Sequence, residues 1–149
     1  MLRTVINPEH QKWYVLAASS IGAFFATVMA TSVNIMLPSL ERIFDTEFAL
    51  VQWVVLSFLL ANITLLPILG RLADMLGRKK MFVMGYLVFT VGSLACASVS
   101  SVWLLIGTRV IQGIGAAIIT ALGFALITSN FPSEERGKAI GINGAILSA

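Results

Sequence analysis

Two polar side chains suited to chemistry, Arg109 and Gln112, stand inside a long apolar stretch of the sequence. Because they are three positions apart, both lie on one face of a helix. A charge at membrane depth normally faces a cavity or a partner, so the pair is predicted to line a cavity or to act as a coupling site. The alternative interpretation is an arginine that extends its head group to a nearby membrane surface.

A polar stripe is predicted on another helix by Thr27, Thr31 and Asn34, which follow each other at intervals of four and three residues. This spacing keeps all three on one helix face. Such a stripe lines a path for a ligand, or it forms hydrogen bonds to neighbouring helices, each worth about 0.6 kcal/mol in membranes. The sequence leaves both interpretations open.

A short basic segment between two apolar stretches combines two glycines with an acid and several cations. Basic residues alone are explained as anchors at a membrane surface. Gly70 permits close helix approach and Gly77 permits a positive φ, neither of which an anchor needs. Asp74 is predicted to accept hydrogen bonds from backbone donors at a helix start, or to pair with Arg71 or Arg78.

The composition places these residues in a lipid bilayer. Hydrophobic residues make up 58% of the 149 positions and charged residues only 11%, with a mean hydropathy of +0.92. An ordinary soluble domain carries about 25% charged residues. The charges are segregated, which leaves four charge-free runs at residues 13–40, 48–70, 81–108 and 110–133. Each run exceeds the about 20 residues that a helical span needs.

Continuous apolar runs satisfy their backbone hydrogen bonds as helices, whereas barrel strands alternate over about ten residues. The predicted fold class is therefore an all-α membrane protein. We predict spans near residues 13–37, 50–70, 81–98 and 102–128, with a fifth beginning near 139. The whole of residues 1–149 is predicted to be a partial N-terminal transmembrane domain, whose open helix face requires further spans of the same chain or a partner membrane chain.

The orientation follows from the loops. Eight of the ten lysines and arginines fall in the N-terminal tail and in alternate loops: Arg3, Lys12, Arg71, Arg78, Lys79, Lys80, Arg136 and Lys138. Such loops are cytoplasmic, which places the N-terminus in the cytoplasm. The cations flank apolar spans instead of forming one basic face, so the net charge of +3 does not indicate nucleic-acid binding.

Enzymatic and metal chemistry are not predicted. The single His10 has no other histidine or cysteine near it in the sequence, and the sequence contains no constellation of nucleophile, base and orienting group. The lone Cys96 is predicted to pack as a small apolar residue. We therefore expect a protein that is not an enzyme and that needs no cofactor or metal.

The basic segment from Gly70 to Lys80 resembles a signature turn of the major facilitator superfamily, G-x-L-A-D-x-x-G-R-K/R-K/R, at every fixed position. The resemblance implies a cytoplasmic latch between two halves of a transporter. In that latch Asp74 meets a helix end of the other half and Arg78 supports it, with Gly70 and Gly77 shaping the turn.

A second segment, Arg109 to Ala117, resembles the fourth-span motif of the same family, R-x-x-Q-G-x-G-A-A. The two motifs together imply that spans one and four face a central path. On the same helix Gly113, Ala117 and Ala121 recur every four residues, and such small side chains are suited to close helix packing.

The segment from Thr31 to Pro38 resembles a first-span motif of the fourteen-span drug:proton antiporters. This resemblance implies export of drugs or other small molecules across a bacterial or archaeal cytoplasmic membrane by alternating access, driven by the proton gradient. The acid that opens the motif is replaced by Met29, which cannot carry a proton. The alternative prediction is a non-transporting membrane interaction module.

Overall fold

The computed structural model describes residues 8–147, and these residues form helices connected by short turns, with no strand among them. The helices are α1 Pro8–Phe44, α2 Phe48–Leu76, α3 Arg78–Ser98, α4 Val102–Asn130 and α5 Ser133–Leu147. The first four contain segments long and apolar enough to cross a membrane. The predicted all-α membrane class and the four spans with a fifth helix after them are confirmed.

The helices extend beyond the predicted membrane spans. In α1 the helix continues past residue 37, through Pro38 and the charged Glu41 and Arg42, and ends at Phe44. In α2 it continues past Gly70 and ends at Leu76. A charge limits how far a segment lies in hydrocarbon but does not stop the backbone from remaining helical at the interface, so the helices are longer than the apolar runs that identify them.

Tight turns join the first three helices. Gly77 alone separates α2 from α3, and its φ of 97° lies where glycine has no steric cost. Its N–H donates to the Ala73 carbonyl at 2.9 Å, which closes the last turn of α2. Asp45 follows α1 with a φ of 45°, a conformation in which aspartate is enriched among non-glycine residues. The predicted positive φ at Gly77 is confirmed.

The fourth helix is the centre of the bundle, because it packs against α1, α2 and α3. In its most apolar segment 56% of residues are buried, against 22–28% in the other three spanning helices. The main core joins side chains of α1, α2, α3 and α4: Ala26, Phe58, Leu69, Ala73, Met81, Phe82, Phe89, Ala116, Ala117, Ile118, Ile119 and Leu122. The polar side chains of α4 therefore belong to a helix that three neighbouring helices hold in place.

Small residues allow this close packing. A Cβ added at Gly113 would lie 2.7 Å from the Phe58 carbonyl oxygen and 3.0 Å from the Ala61 Cβ, so this glycine lets α4 approach α2. Ala117 is fully buried in the main core, and Ala121 is half-buried. On the other side of α4, a Cβ at Gly92 of α3 would lie 2.8 Å from backbone atoms of Gln112. The two neighbouring helices thus approach α4 on different faces.

Candidate functional site

The turn between α2 and α3 brings Asp74 and Arg78 together. Asp74 lies in the last turn of α2 and Arg78 is the first residue of α3, and the Arg78 Nε donates to the Asp74 Oδ1 at 2.9 Å. Their side chains remain 59% and 41% exposed. An exposed pair four residues apart contributes only about 0.3–0.5 kcal/mol. The contact therefore matters more for the position of the carboxylate than for the stability of the bundle.

The structure decides between the two alternatives for Asp74. No side chain caps the start of α3, so Asp74 does not accept from its backbone donors, and the predicted pairing with Arg78 is confirmed. The close helix approach expected at Gly70 is wrong for the described residues, since an added Cβ would meet no atom within 4 Å. The Cα of Gly70 therefore faces a part of the α2 surface that no other described helix approaches closely.

The predicted pair on α4 is joined directly. The Arg109 Nη1 donates to the Gln112 Oε1 at 2.7 Å, and the Gln112 Nε2 donates to the Ser93 Oγ of α3 at 2.7 Å. Ser93 in turn donates to the Phe89 carbonyl at 2.8 Å. Because each donor has a defined acceptor, the Gln112 amide is fixed with its oxygen towards the guanidinium. Gln112 itself is only 1% exposed.

Cys96 borders the same polar cluster. Its Sγ donates to the Thr108 Oγ1 at 3.3 Å and lies 3.9 Å from the Gln112 Oε1. The sequence predicted an apolar packing role, and the structure adds this polar contact to it, since Cys96 also packs against the apolar cluster at this end of the bundle. Ser93 and Cys96 were missed as site residues, although their spacing of three on α3 is a signal that they share a face.

Arg109 is buried, with 9% of its surface exposed, so the alternative of a head group extended to the membrane surface is wrong. Its Nε has no hydrogen-bond partner within the part of the chain that the structure describes. Arg109 also lines a pocket of about 100 Å³ between α1, α2 and α4. The other lining residues are Ala30, Thr31, Val33, Asn34, Val54, Val55, Phe58 and Leu59.

The polar stripe of α1 bonds to its own helix. Thr27 donates to the Ala23 carbonyl, Thr31 to the Thr27 carbonyl, and Asn34 to the Ala30 carbonyl. Within the described residues these side chains form no hydrogen bond to another helix. Thr31 and Asn34 line the pocket with Arg109, whereas Thr27 does not. The structure thus brings two of the three stripe residues to the fourth-span motif.

A further cluster, not predicted from the sequence, joins α1 to α5 and to the end of α4. Lys12 Nζ lies 2.7 Å from Glu135 Oε2 and 5.9 Å from the centre of the Phe131 ring. Deeper in the bundle, the buried Ser20 donates to the Asn143 Oδ1 at 3.0 Å. These contacts hold the fifth helix against the first.

Comparison with known proteins agrees with this architecture. Residues 19–149 match the sequence model of the Major Facilitator Superfamily, which is most of the chain. The chain belongs to this family. Its family consists of transporters, which are not enzymes, and its four long apolar helices are those of a multi-pass integral membrane protein, so the family resemblance of its motifs is confirmed.

Several curated relatives are similar over nearly the whole chain. The riboflavin transporter RibZ of Clostridioides difficile is 35% identical over 92% of this chain and 30% of its own length. The multidrug resistance protein Stp of Mycobacterium tuberculosis is 37% identical over 89% of this chain and 25% of its own length. The drug efflux pump JefA of the same species is 36% identical over 83% and 24%. The chain thus spans about a quarter to 30% of the length of these relatives.

Proposed function

We propose that this chain is the N-terminal part of a secondary active transporter that exports drugs or other small molecules by proton antiport through alternating access. The observation that carries the proposal is the Asp74–Arg78 contact across the one-residue turn at Gly77. It holds a carboxylate at the end of two spanning helices while leaving it exposed. The names of relatives such as Stp and JefA support drug export as the activity.

The exposed carboxylate is suited to a reversible contact. Arg78 binds one oxygen of Asp74, and a carboxylate has a second oxygen that also accepts hydrogen bonds. Backbone N–H groups at a helix start in the second half of the transporter are suitable donors, because the N-terminus of a helix favours negative charge. Forming and breaking this contact would close and open the cytoplasmic side as the two halves rock about a central site.

The pocket beside Arg109 is proposed to lie on the central path. It combines a cation and two polar residues with apolar walls, as ligand sites commonly do. The four charge-free runs contain no aspartate or glutamate. For proton antiport, the protonated carboxylate must therefore come from the rest of the full-length protein, and the Arg109–Gln112 pair would respond to its charge.

One observation favours the second candidate, a membrane module that associates with other helices and transports nothing. Met29 occupies the position at which the related antiporters carry an acid, so these spans hold no carboxylate to carry a proton. Partners of such a module would be the lipid bilayer and another membrane chain. If the chain is such a module, we expect no flux in any transport assay.

Export by the full-length protein in everted membrane vesicles tests the proposal, with ethidium fluorescence as the readout. We expect accumulation of ethidium that requires the proton gradient and that an uncoupler abolishes. Asp74→Asn should reduce the rate at least tenfold without changing the amount of protein in the membrane, because an amide presents one acceptor oxygen and no charge.

The matched control for this substitution is Asp45→Asn, which removes an exposed acid from the opposite end of the bundle and should leave the rate unchanged. Equal rates for the Asp74 variant and the unmodified protein would remove the latch role. Accumulation that persists with the uncoupler would contradict proton antiport, and absence of any flux would favour the module.

A further inference from the structure

The guanidinium of Arg109 carries a buried positive charge that no carboxylate neutralises within the described residues. Its Nη1 donates to an uncharged amide and its buried Nε has no partner. The seven acids of the chain all lie outside the charge-free runs, at Glu9, Glu41, Asp45, Glu47, Asp74, Glu134 and Glu135. A buried ion without a counter-charge costs several kcal/mol, so an anionic partner at this position would be favoured strongly.

The pocket at Arg109 is shaped for a ligand with one polar end. Thr31 and Asn34 share its lining with the guanidinium, and the remaining walls are apolar side chains such as Val54 and Phe58. Asn34 uses one N–H in its bond to the Ala30 carbonyl, and its amide has a second N–H and an oxygen available. A pocket of about 100 Å³ thus combines polar groups from α1 and α4 with apolar walls.

We propose that this pocket binds a small monocarboxylate with an apolar body. The carboxylate accepts from the part of the Arg109 guanidinium that lines the pocket and from the Asn34 amide, and the body packs against Val54 and Phe58. Hydrogen bonds between ionised partners are about twice as strong as neutral ones, which makes the anion preferred over an uncharged analogue of the same shape. The proposal rests on the proposed function and deepens it, because it names carboxylates as a substrate class.

Benzoate and its uncharged isostere benzamide are the probes. The full-length protein is placed in nanodiscs of phosphatidylcholine, with its arginines labelled with ¹⁵N, and the Nε–H resonances are followed by NMR during each titration. We expect one arginine resonance to shift with benzoate until saturation. Benzamide should bind roughly tenfold more weakly, since it loses a hydrogen bond between charged groups. Equal affinities for the two probes would overturn the proposal.

Variants identify the site independently of that comparison. Arg109→Gln should remove the resonance that shifts with benzoate. It should also weaken benzoate binding, measured by calorimetry, at least tenfold. Arg42→Gln, which removes an exposed cation beyond the first charge-free run, should bind as the unmodified chain does. Asn34→Ala, at an exposed position of α1, should weaken binding roughly tenfold while preserving helix content. Benzoate binding that is unchanged in Arg109→Gln and Asn34→Ala would overturn the assignment.

The binding assay needs no transport, so the two proposals fail separately. Benzoate binding by the full-length protein, without export, would overturn the proposed function alone. Uncoupler-sensitive export with no benzoate binding would overturn this inference alone.

Discussion

At the scale of single residues, the bundle fixes the orientation of the Gln112 amide through α3. The sequence predicted that Arg109 and Gln112 share a face, because helical spacing is a local property. It did not identify Ser93 as the acceptor of the Gln112 amide, because which residues of α3 meet α4 depends on how far the two helices slide past each other. That position is decided by packing at Gly92 and Phe89, not by any local pattern.

Ser93→Ala tests this contact. The substitution removes the acceptor of the Gln112 Nε2 and should lower the free energy of unfolding in detergent by about 0.6–1.7 kcal/mol, the range for hydrogen bonds between membrane helices. Ser98→Ala is the matched control, because Ser98 also donates to the carbonyl four residues earlier but is exposed. Equal losses for the two variants would show that the interhelical bond contributes nothing.

At the scale of the helices, the long apolar runs were sufficient to identify the four spans, but not how closely they pack. The predicted small-residue face of α4 packs against α2 at Gly113, as its spacing indicated. The equally close contact at Gly92 could not be predicted from the sequence, because a single glycine in an apolar run does not by itself indicate a helix contact. Gly70 shows the reverse, because its predicted close approach is not made by the described helices.

Gly92→Ala should separate α3 from α4. The added Cβ would meet the Gln112 backbone at 2.8 Å, and backbone atoms cannot move aside as a flexible side chain can. We expect a loss of about 1–3 kcal/mol in unfolding free energy, the usual cost of overpacking. Gly107→Ala in α4 is the control, since its Cβ would meet no atom within 4 Å, and it should cause no loss. A Gly92 variant as stable as this control would contradict the close approach.

At the scale of the whole molecule, positive charges are concentrated at one of the two ends of the described helix bundle. The end that carries Lys12, the Gly77 turn and the start of α5 holds most of the cations, and it also carries both ion pairs described above. The distribution of charge in the sequence predicted this end as cytoplasmic. Of the two ion pairs, the one between Asp74 and Arg78 was among the predicted alternatives. The one between Lys12 and Glu135 was not predicted, because the two residues are 123 positions apart.

Labelling of single cysteines from one side of the membrane tests the orientation. In a Cys96→Ser background, Glu47→Cys should react with an impermeant maleimide on intact cells, and Lys79→Cys only after permeabilisation. Both positions are exposed, so the difference reports the side of the membrane and not burial. The opposite pattern would place the N-terminus outside.

The contacts between α1 and α5 also constrain the order in which the protein is made. Lys12 and Glu135, and likewise Ser20 and Asn143, are separated by 123 residues. At about 5–20 residues per second, the ribosome needs roughly 6–25 s to synthesise that length. During this interval the hydroxyl of Ser20 lacks its interhelical acceptor. The contacts of α1 with α5 therefore form last among its helix contacts, because α2 and α4, which also pack against α1, are synthesised earlier.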